Sequence, residues 1–221
     1  MTERARSTRP VLVGIAGGVA AGKSTAAAIL AEFLDGWTVA IVSTDGFLLP
    51  TSELMARDLI MRKGFPESYD TAALKGFLDA ARAGVAGLTV PVYSHETYDV
   101  VPGRREPVGT PDVLVVEGVN ALQFAERLDV AVYVDASETD MEAWYMARLH
   151  EVCAAPPPGS FYAQFRGFSA RELDTFGREV WRSINLVNLR ECIAPTRASA
   201  DAVVHKRGDH SVASVDMGGA P

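Results

Sequence analysis

The sequence predicts an α/β fold of three layers, with helices on both faces of a mostly parallel central sheet. Three observations predict it. Apolar, β-branched runs alternate with helix-forming stretches along the 221 residues, the pattern of parallel strands joined by helical crossovers. A glycine loop, Gly17-Gly18-Val19-Ala20-Ala21-Gly22-Lys23-Ser24, joins the first such run to the first helix-forming stretch. Two later runs end in acids, Asp45 and Glu117. In open α/β sheets the carboxyl ends of strands face a common ligand crevice.

The elements follow in order. Val11 to Ala16 is apolar and reads as a buried strand. The loop after it fits G-x-x-x-x-G-K-[ST] without a mismatch. Thr25 to Leu34 is rich in alanine and leucine and reads as a helix. Strand, loop and helix together form a cradle in which backbone N–H groups and the positive end of the helix face an anion. Gly17 to Thr25 then hold phosphate. The Lys23 ammonium reaches the β- and γ-phosphates and the Ser24 hydroxyl serves Mg²⁺.

Trp37 to Ser43 is the second strand. It delivers Thr44-Asp45-Gly46-Phe47 to the crevice. A carboxylate there suits a general base, or a group that holds Mg²⁺ through water. Asp before Gly also suits a turn or helix cap, so both roles stay open for Asp45 at this point. Thr51 to Arg62 reads as helical, Lys63 to Asp70 breaks the pattern with Gly and Pro, and Thr71 to Ala83 is amphipathic through Leu74, Phe77, Leu78 and Ala81. Leu88 to Tyr93 is extended, and Pro91 argues for an edge strand. His95 follows in a polar turn flanked by aromatics, where surface and ligand-contact roles are both reasonable. Pro102 to Pro111 reads as a loop.

Asp112 to Gly118 is a buried strand ending in an acid, a Walker B pattern. Glu117 therefore returns to the crevice beside Ser24, to hold Mg²⁺ through water or to orient water. Leu128 to Asp135 is another strand, and Thr139 to Glu151 a helix. Ala154 to Ser160 is a Pro/Gly loop. Phe161 and Phe165 read as core, Ala170 to Arg190 as one long helix, and Ala202 to Lys206 as a last strand. Ser211 to Pro221 is small and polar, a frayed tail by composition.

Formal net charge is −7. With no basic run, it argues against a nucleic-acid surface, while a local cationic pocket stays compatible. Cys153 and Cys192 have no metal-ligand spacing and read as buried reduced thiols. The first ten residues adjoin no long apolar segment, so neither a signal peptide nor a membrane span is expected. A cytoplasmic enzyme is the expectation.

These residues resemble the bacterial type I pantothenate kinases, relatives of uridine kinase and phosphoribulokinase. The anchors are the phosphate loop, Thr44 to Phe47, Arg62 to Asp70, Pro91 to His95 with Tyr98-Asp99, Glu117-Gly118 with Asn120 and Leu122-Gln123, Trp144-Tyr145 with Arg148, Ile184-Asn185 with Asn188-Leu189, and Pro195 to Arg197. The resemblance implies a P-loop kinase fold, with one domain over residues 1–210 and a small lid around 148–168. It implies a homodimer that phosphorylates pantothenate from ATP and Mg²⁺, the first step towards coenzyme A. By motif position, Asp45 is then the base. Lys23 and Arg148 stabilise the transferring phosphoryl group, Tyr93, His95, Tyr145 and Asn185 hold pantothenate, and Ser24 and Glu117 serve the metal. Three departures matter. Only ten residues precede the first strand, where the family carries a helical region. The segments Gln123–Leu128 and Arg148–Phe161 are shorter than usual. Ala28 stands where the family has a basic residue that contacts coenzyme A, which predicts weak or absent feedback by coenzyme A. A kinase of another small alcohol and a non-catalytic nucleotide-binding regulator are the competing readings.

Overall fold

The computed structural model describes residues 9–218. In chain order the principal elements are β1 (Val11–Gly17), α1 (Lys23–Phe33), β2 (Val39–Ser43), α2 (Thr51–Ala56), α3 (Thr71–Arg82), β3 (Thr89–Ser94), β4 (Asp99–Pro107), β5 (Val113–Glu117), β6 (Val130–Asp135), α4 (Glu138–Ala154), α5 (Ala170–Val180), β7 (Ala202–Lys206) and β8 (Val212–Met217). The central sheet has the order β2-β5-β1-β6-β7-β8. Every pairing in it is parallel except β7 with β8.

The sequence dictates this arrangement through burial on both faces. β5 is buried at all five positions, as an apolar strand between two helical layers must be. On one face Val13, Ile15, Val115 and Tyr133 pack with Ala27 of α1, Met141 and Trp144 of α4, and Trp181, Leu189 and Ile193. On the other face Leu12, Val42, Leu114 and Val116 pack with Leu74, Phe77, Leu78 and Ala81 of α3. The expected periodicity of α3 is thus its buried stripe, and the Asp70 side chain caps it by accepting from Ala73 N.

Several expectations needed correction. Leu88 to Tyr93 does not join the central sheet; β3 pairs antiparallel with β4 in a separate two-stranded sheet. The stretch expected as a loop from Pro102 is mostly β4, because a two-stranded ribbon tolerates the Pro and Gly that a central strand rejects. The Thr51–Arg62 helix is shorter, ending at Ala56, and residues Ile60–Arg62 form a 3₁₀ turn. The long helix after Ala170 is continuous to Ile193 but widens to π geometry over Trp181–Asn185 and Leu189–Ile193. Phe165 is core, whereas Phe161 is 37% exposed. Both cysteines are half-buried rather than buried. The tail expected to fray from Ser211 instead forms β8, completing the sheet by backbone hydrogen bonds that composition does not reveal. Residues 219–221, like residues 1–8, lie outside the described residues.

α4 and α5 form a hairpin over a third apolar cluster, Met146, Leu149, Phe165 and Leu173. Gly177 sets their spacing. A Cβ there would lie 2.6 Å from Leu149 Cδ2 and 2.8 Å from Met146 Sδ. Ser169 completes a capping box with Glu172 at the start of α5.

Candidate active site

Three chain reversals meet at the carboxyl ends of β1, β2 and β5. β5 lies between the other two, with Glu117 in register with Ile15 on one side and Ser43 on the other. The phosphate loop leaves β1, Asp45 follows β2 by two residues, and Glu117 is the last residue of β5. Sheet order, rather than proximity in sequence, therefore brings them together.

The loop ends at Gly22, which adopts φ +91° and stands at the N-cap of α1 without a side-chain cap. No acid lies in the first turn. The first turn of α1 thus offers its free amides neither a capping side chain nor a carboxylate of its own, which leaves them able to receive an anion. Val19, Ala20 and Ala21 form the loop's crest, with Ala20 at φ +64°. Ala21 is buried, and Ser24 and Thr25 are exposed at the start of the helix. Lys23 Nζ donates to Gly18 O at 2.9 Å, so the ammonium lies across the loop. Burial lowers its pKa, while Glu117 and Asp45 oppose the shift.

Glu117 is 7% exposed. Burial raises its carboxyl pKa, and the Lys23 ammonium pulls it back. The Ser43 and Ser24 hydroxyls also favour its ionised form. Ser24 and Glu117 thus lie near one another, a pair of hard oxygen donors of the kind Mg²⁺ takes. Among the described residues no three acidic, histidine or cysteine side chains gather as a metal cage.

Asp45 heads a 3₁₀ turn, its amide donating to Ser43 Oγ at 3.3 Å. Its carboxylate is therefore not spent on capping its own turn. Instead Tyr69 Oη donates to Asp45 Oδ1 at 3.4 Å. Tyr69 is 5% exposed, and burial together with Asp45 raises its phenol pKa well above the usual value. The phenol thus stays protonated and able to donate.

The remaining predicted residues lie on β3, the turn beyond it, α4 and the π turn that continues α5. Tyr93 lies on β3, close enough to Asp45 for the carboxylate to add to the upward shift that burial imposes on its phenol. Its ring meets His95 edge-on at 5.2 Å, and His95 is exposed at the turn beyond β3. Burial pushes the pKa of the Tyr145 hydroxyl up to about 12, and Asn185, in the first π turn, lies near enough to pull it back. π turns recur at functional sites because they re-aim one side chain without ending the helix. Arg148, on α4, is near enough to Lys23, Tyr98 and Tyr162 to act on their protonation: it adds to the lowering that burial imposes on Lys23 and opposes the rise that burial imposes on the two phenols. Asp45, Lys23 and Glu117 thus act on one another directly, Tyr93 and Arg148 lie within electrostatic reach of them, and His95 meets Tyr93.

The structure adds members that sequence reasoning assigned no role. Tyr98, at φ +57°, stacks on Phe161 with centroids 4.7 Å apart and meets Tyr93 at 6.3 Å. Lys63 Nζ lies 4.4 Å from the Tyr98 ring centroid and hydrogen-bonds Tyr98 O and Thr51 Oγ1. Its pKa is lowered by burial against the opposing pull of Asp99 and Asp45. The signal for Lys63, Tyr69 and Tyr98 was their place in the motif stretches. Their direction towards Asp45 depends on tertiary contacts.

A phosphate loop, a Walker B acid and a strand-end carboxylate facing a polar, aromatic wall define a P-loop kinase. Residues 12–149 match the Phosphoribulokinase / Uridine kinase family. Three proteins called pantothenate kinase are similar over nearly the whole chain. Those of Streptomyces avermitilis and Streptomyces coelicolor are each 44% identical over 96% of this chain and 70% of their own length. That of Sorangium cellulosum is 44% identical over 95% of this chain and 73% of its own. Among solved structures, D-glycerate 3-kinase from Cryptococcus neoformans superposes with TM-score 0.61 at 14% identity, covering 97% of this chain and 92% of that one. Phosphoribulokinase from Rhodobacter spheroides gives 0.57 at 12% identity, covering 90% and 71%. At such identities the structures share the fold alone. The chain belongs to the pantothenate kinase family of P-loop kinases.

Proposed function

We propose that the protein transfers the γ-phosphoryl group of ATP to the hydroxyl of pantothenate, the first step of coenzyme A synthesis. The observation that carries this reading is the mutual proximity of Lys23 at the start of α1, Asp45 after β2 and Glu117 at the end of β5, with Tyr93 within electrostatic reach of Asp45. The 41–44% identity to proteins called pantothenate kinase supports this acceptor over another small alcohol.

Gly17 to Thr25 hold the phosphates of ATP through backbone amides. On phosphate entry Lys23 leaves Gly18 O for the β- and γ-phosphates. Asp45 accepts the proton of the attacking hydroxyl as the new O–P bond forms and the bond to the β-phosphate oxygen breaks. ADP leaves with the electron pair of that bond. Lys23 and Arg148 stabilise the charge on the transferring group, and positioning with electrostatics supplies most of the acceleration. Ser24 and Glu117 would hold Mg²⁺, which would offset the negative charge of the phosphates. Tyr93, His95, Tyr145 and Asn185 hold the acceptor. The segment 148–168, carrying Arg148, Phe161 and Tyr162, closes over the crevice as a lid. The active form is a homodimer in the cytoplasm.

Labelled ATP with pantothenate, uridine, ribulose 5-phosphate and glycerate tests the acceptor. Pantothenate is expected to dominate kcat/KM; a much higher value for any other acceptor would reject it.

A further inference from the structure

Lys206 closes β7 and lies 185 residues beyond Ala21, yet its ammonium donates to Ala21 O at 2.9 Å. The same nitrogen sits 4.9 Å from the centroid of the Trp144 ring. A Cβ added at Gly22 would lie 2.6 Å from it, so the ammonium is packed against the end of the phosphate loop. Trp144 is fixed in turn. It is 8% exposed, its ring stacks on His210 at 4.3 Å, and its Nε1 donates to Gly208 O at 3.0 Å. Burial lowers the pKa of Lys206, in keeping with a partly desolvated cation. Lys23 lies across the other end of the loop, on Gly18 O.

The consequence comes from peptide geometry. A trans peptide is planar, and its C=O and N–H point in opposite directions. Holding the Ala21 carbonyl on Lys206 therefore aims the Gly22 N–H away from Lys206. Gly22 has φ +91° and no Cβ, so nothing in its own residue resists rotation of that peptide. An external anchor is needed, and Lys206 is placed to be one.

We propose that Lys206 is a positioning residue of the phosphate loop: it holds the Ala21–Gly22 peptide so that the Gly22 amide donates to bound phosphate. The proposal rests on the reading of Gly17 to Ser24 as a phosphate site, but not on the identity of the acceptor. It differs from a contact with the nucleotide base, because it acts on phosphate alone.

The test uses Mg-tripolyphosphate, which has phosphates but no base or sugar, beside MgATP, on the full chain. Lys206→Met is expected to weaken tripolyphosphate binding and raise KM for MgATP, each about tenfold. KM for pantothenate stays near the wild-type value and kcat falls far less than tenfold. Lys206→Arg, which keeps a donor at that reach, is expected to recover most of the affinity. In ¹⁵N-resolved spectra the Gly22 amide proton moves downfield on adding tripolyphosphate in the wild type and in Lys206→Arg, but not in Lys206→Met. If Lys206→Met does not fold, Lys206→Gln, whose head is one bond short of Ala21, is expected to show the same losses. A folded Met or Gln variant with wild-type tripolyphosphate affinity and a wild-type Gly22 shift overturns the proposal. A wild-type chain that binds neither MgATP nor tripolyphosphate overturns the phosphate-site reading itself, and this inference with it.

Discussion

Asp45 and Glu117 are two carboxylates at neighbouring strand ends with different surroundings. Asp45 receives a hydrogen bond from a buried phenol, while Glu117 is buried against Lys23, Ser24 and Ser43. Their roles divide accordingly. Asp45→Asn is expected to lower kcat by about 10²–10⁴-fold with ATP binding kept, as loss of a general base does; an unchanged kcat removes Asp45 from that role. Glu117 gives a stability prediction. Its folded pKa lies above its unfolded one even with the attraction of Lys23 included. The native state therefore binds more protons in that window, and stability falls as pH rises through it. Glu117→Gln mimics the protonated form. Thermal melts at pH 7 should show a higher Tm than wild type, with the gap closing towards about pH 4, where the unfolded carboxyl also protonates. A variant less stable at pH 7 would contradict this. Lys23, Asp45 and Glu117 were legible in the sequence because a motif or a strand end fixes where each points. Tyr69, Tyr98, Lys63 and Lys206 were not, since each reaches the site from an element whose path depends on packing elsewhere.

At the scale of elements, the α4–α5 hairpin carries residues proposed to hold the acceptor. Tyr145 and Arg148 lie on α4, and Asn185 lies on the π turn that continues α5. Their alignment depends on how closely the two helices approach at Gly177. Gly177→Ala forces Leu149 and Met146 to shift, an overpacking worth about 1–3 kcal/mol. For a chain of this size that is roughly 2–12 °C in Tm. KM for pantothenate should rise more than KM for ATP, because the phosphate loop lies on another element; an equal rise in both would place the hairpin's effect elsewhere. The helices and the parallel strands were legible from alternating runs and apolar periodicity. β4 and β8 were not: their exposed, mixed sequences carry little apolar signal, and each is a strand because a neighbour offers backbone partners. The π turns were hidden as well, since an extra residue in one turn leaves the helical composition unchanged.

For the whole molecule, the sheet order brings the phosphate loop after β1 beside the carboxyl ends of β2 and β5. Among the described residues, no helix is long and apolar enough to cross a membrane. The proposed homodimer predicts a light-scattering mass of twice the 23.7 kDa chain mass; the mass of a single chain would reject it. Ala28, exposed on α1, offers no charge to an anionic feedback ligand. Coenzyme A is therefore expected to inhibit weakly, and micromolar inhibition competitive with ATP would contradict that. The central claim is transfer to pantothenate, and one measurement tests it most directly: kcat/KM for labelled phosphoryl transfer from MgATP to pantothenate, beside uridine, ribulose 5-phosphate and glycerate. The account predicts that pantothenate is the preferred acceptor and that Asp45→Asn abolishes most of its turnover. Preference for another acceptor, or undiminished transfer in the Asn variant, would contradict it.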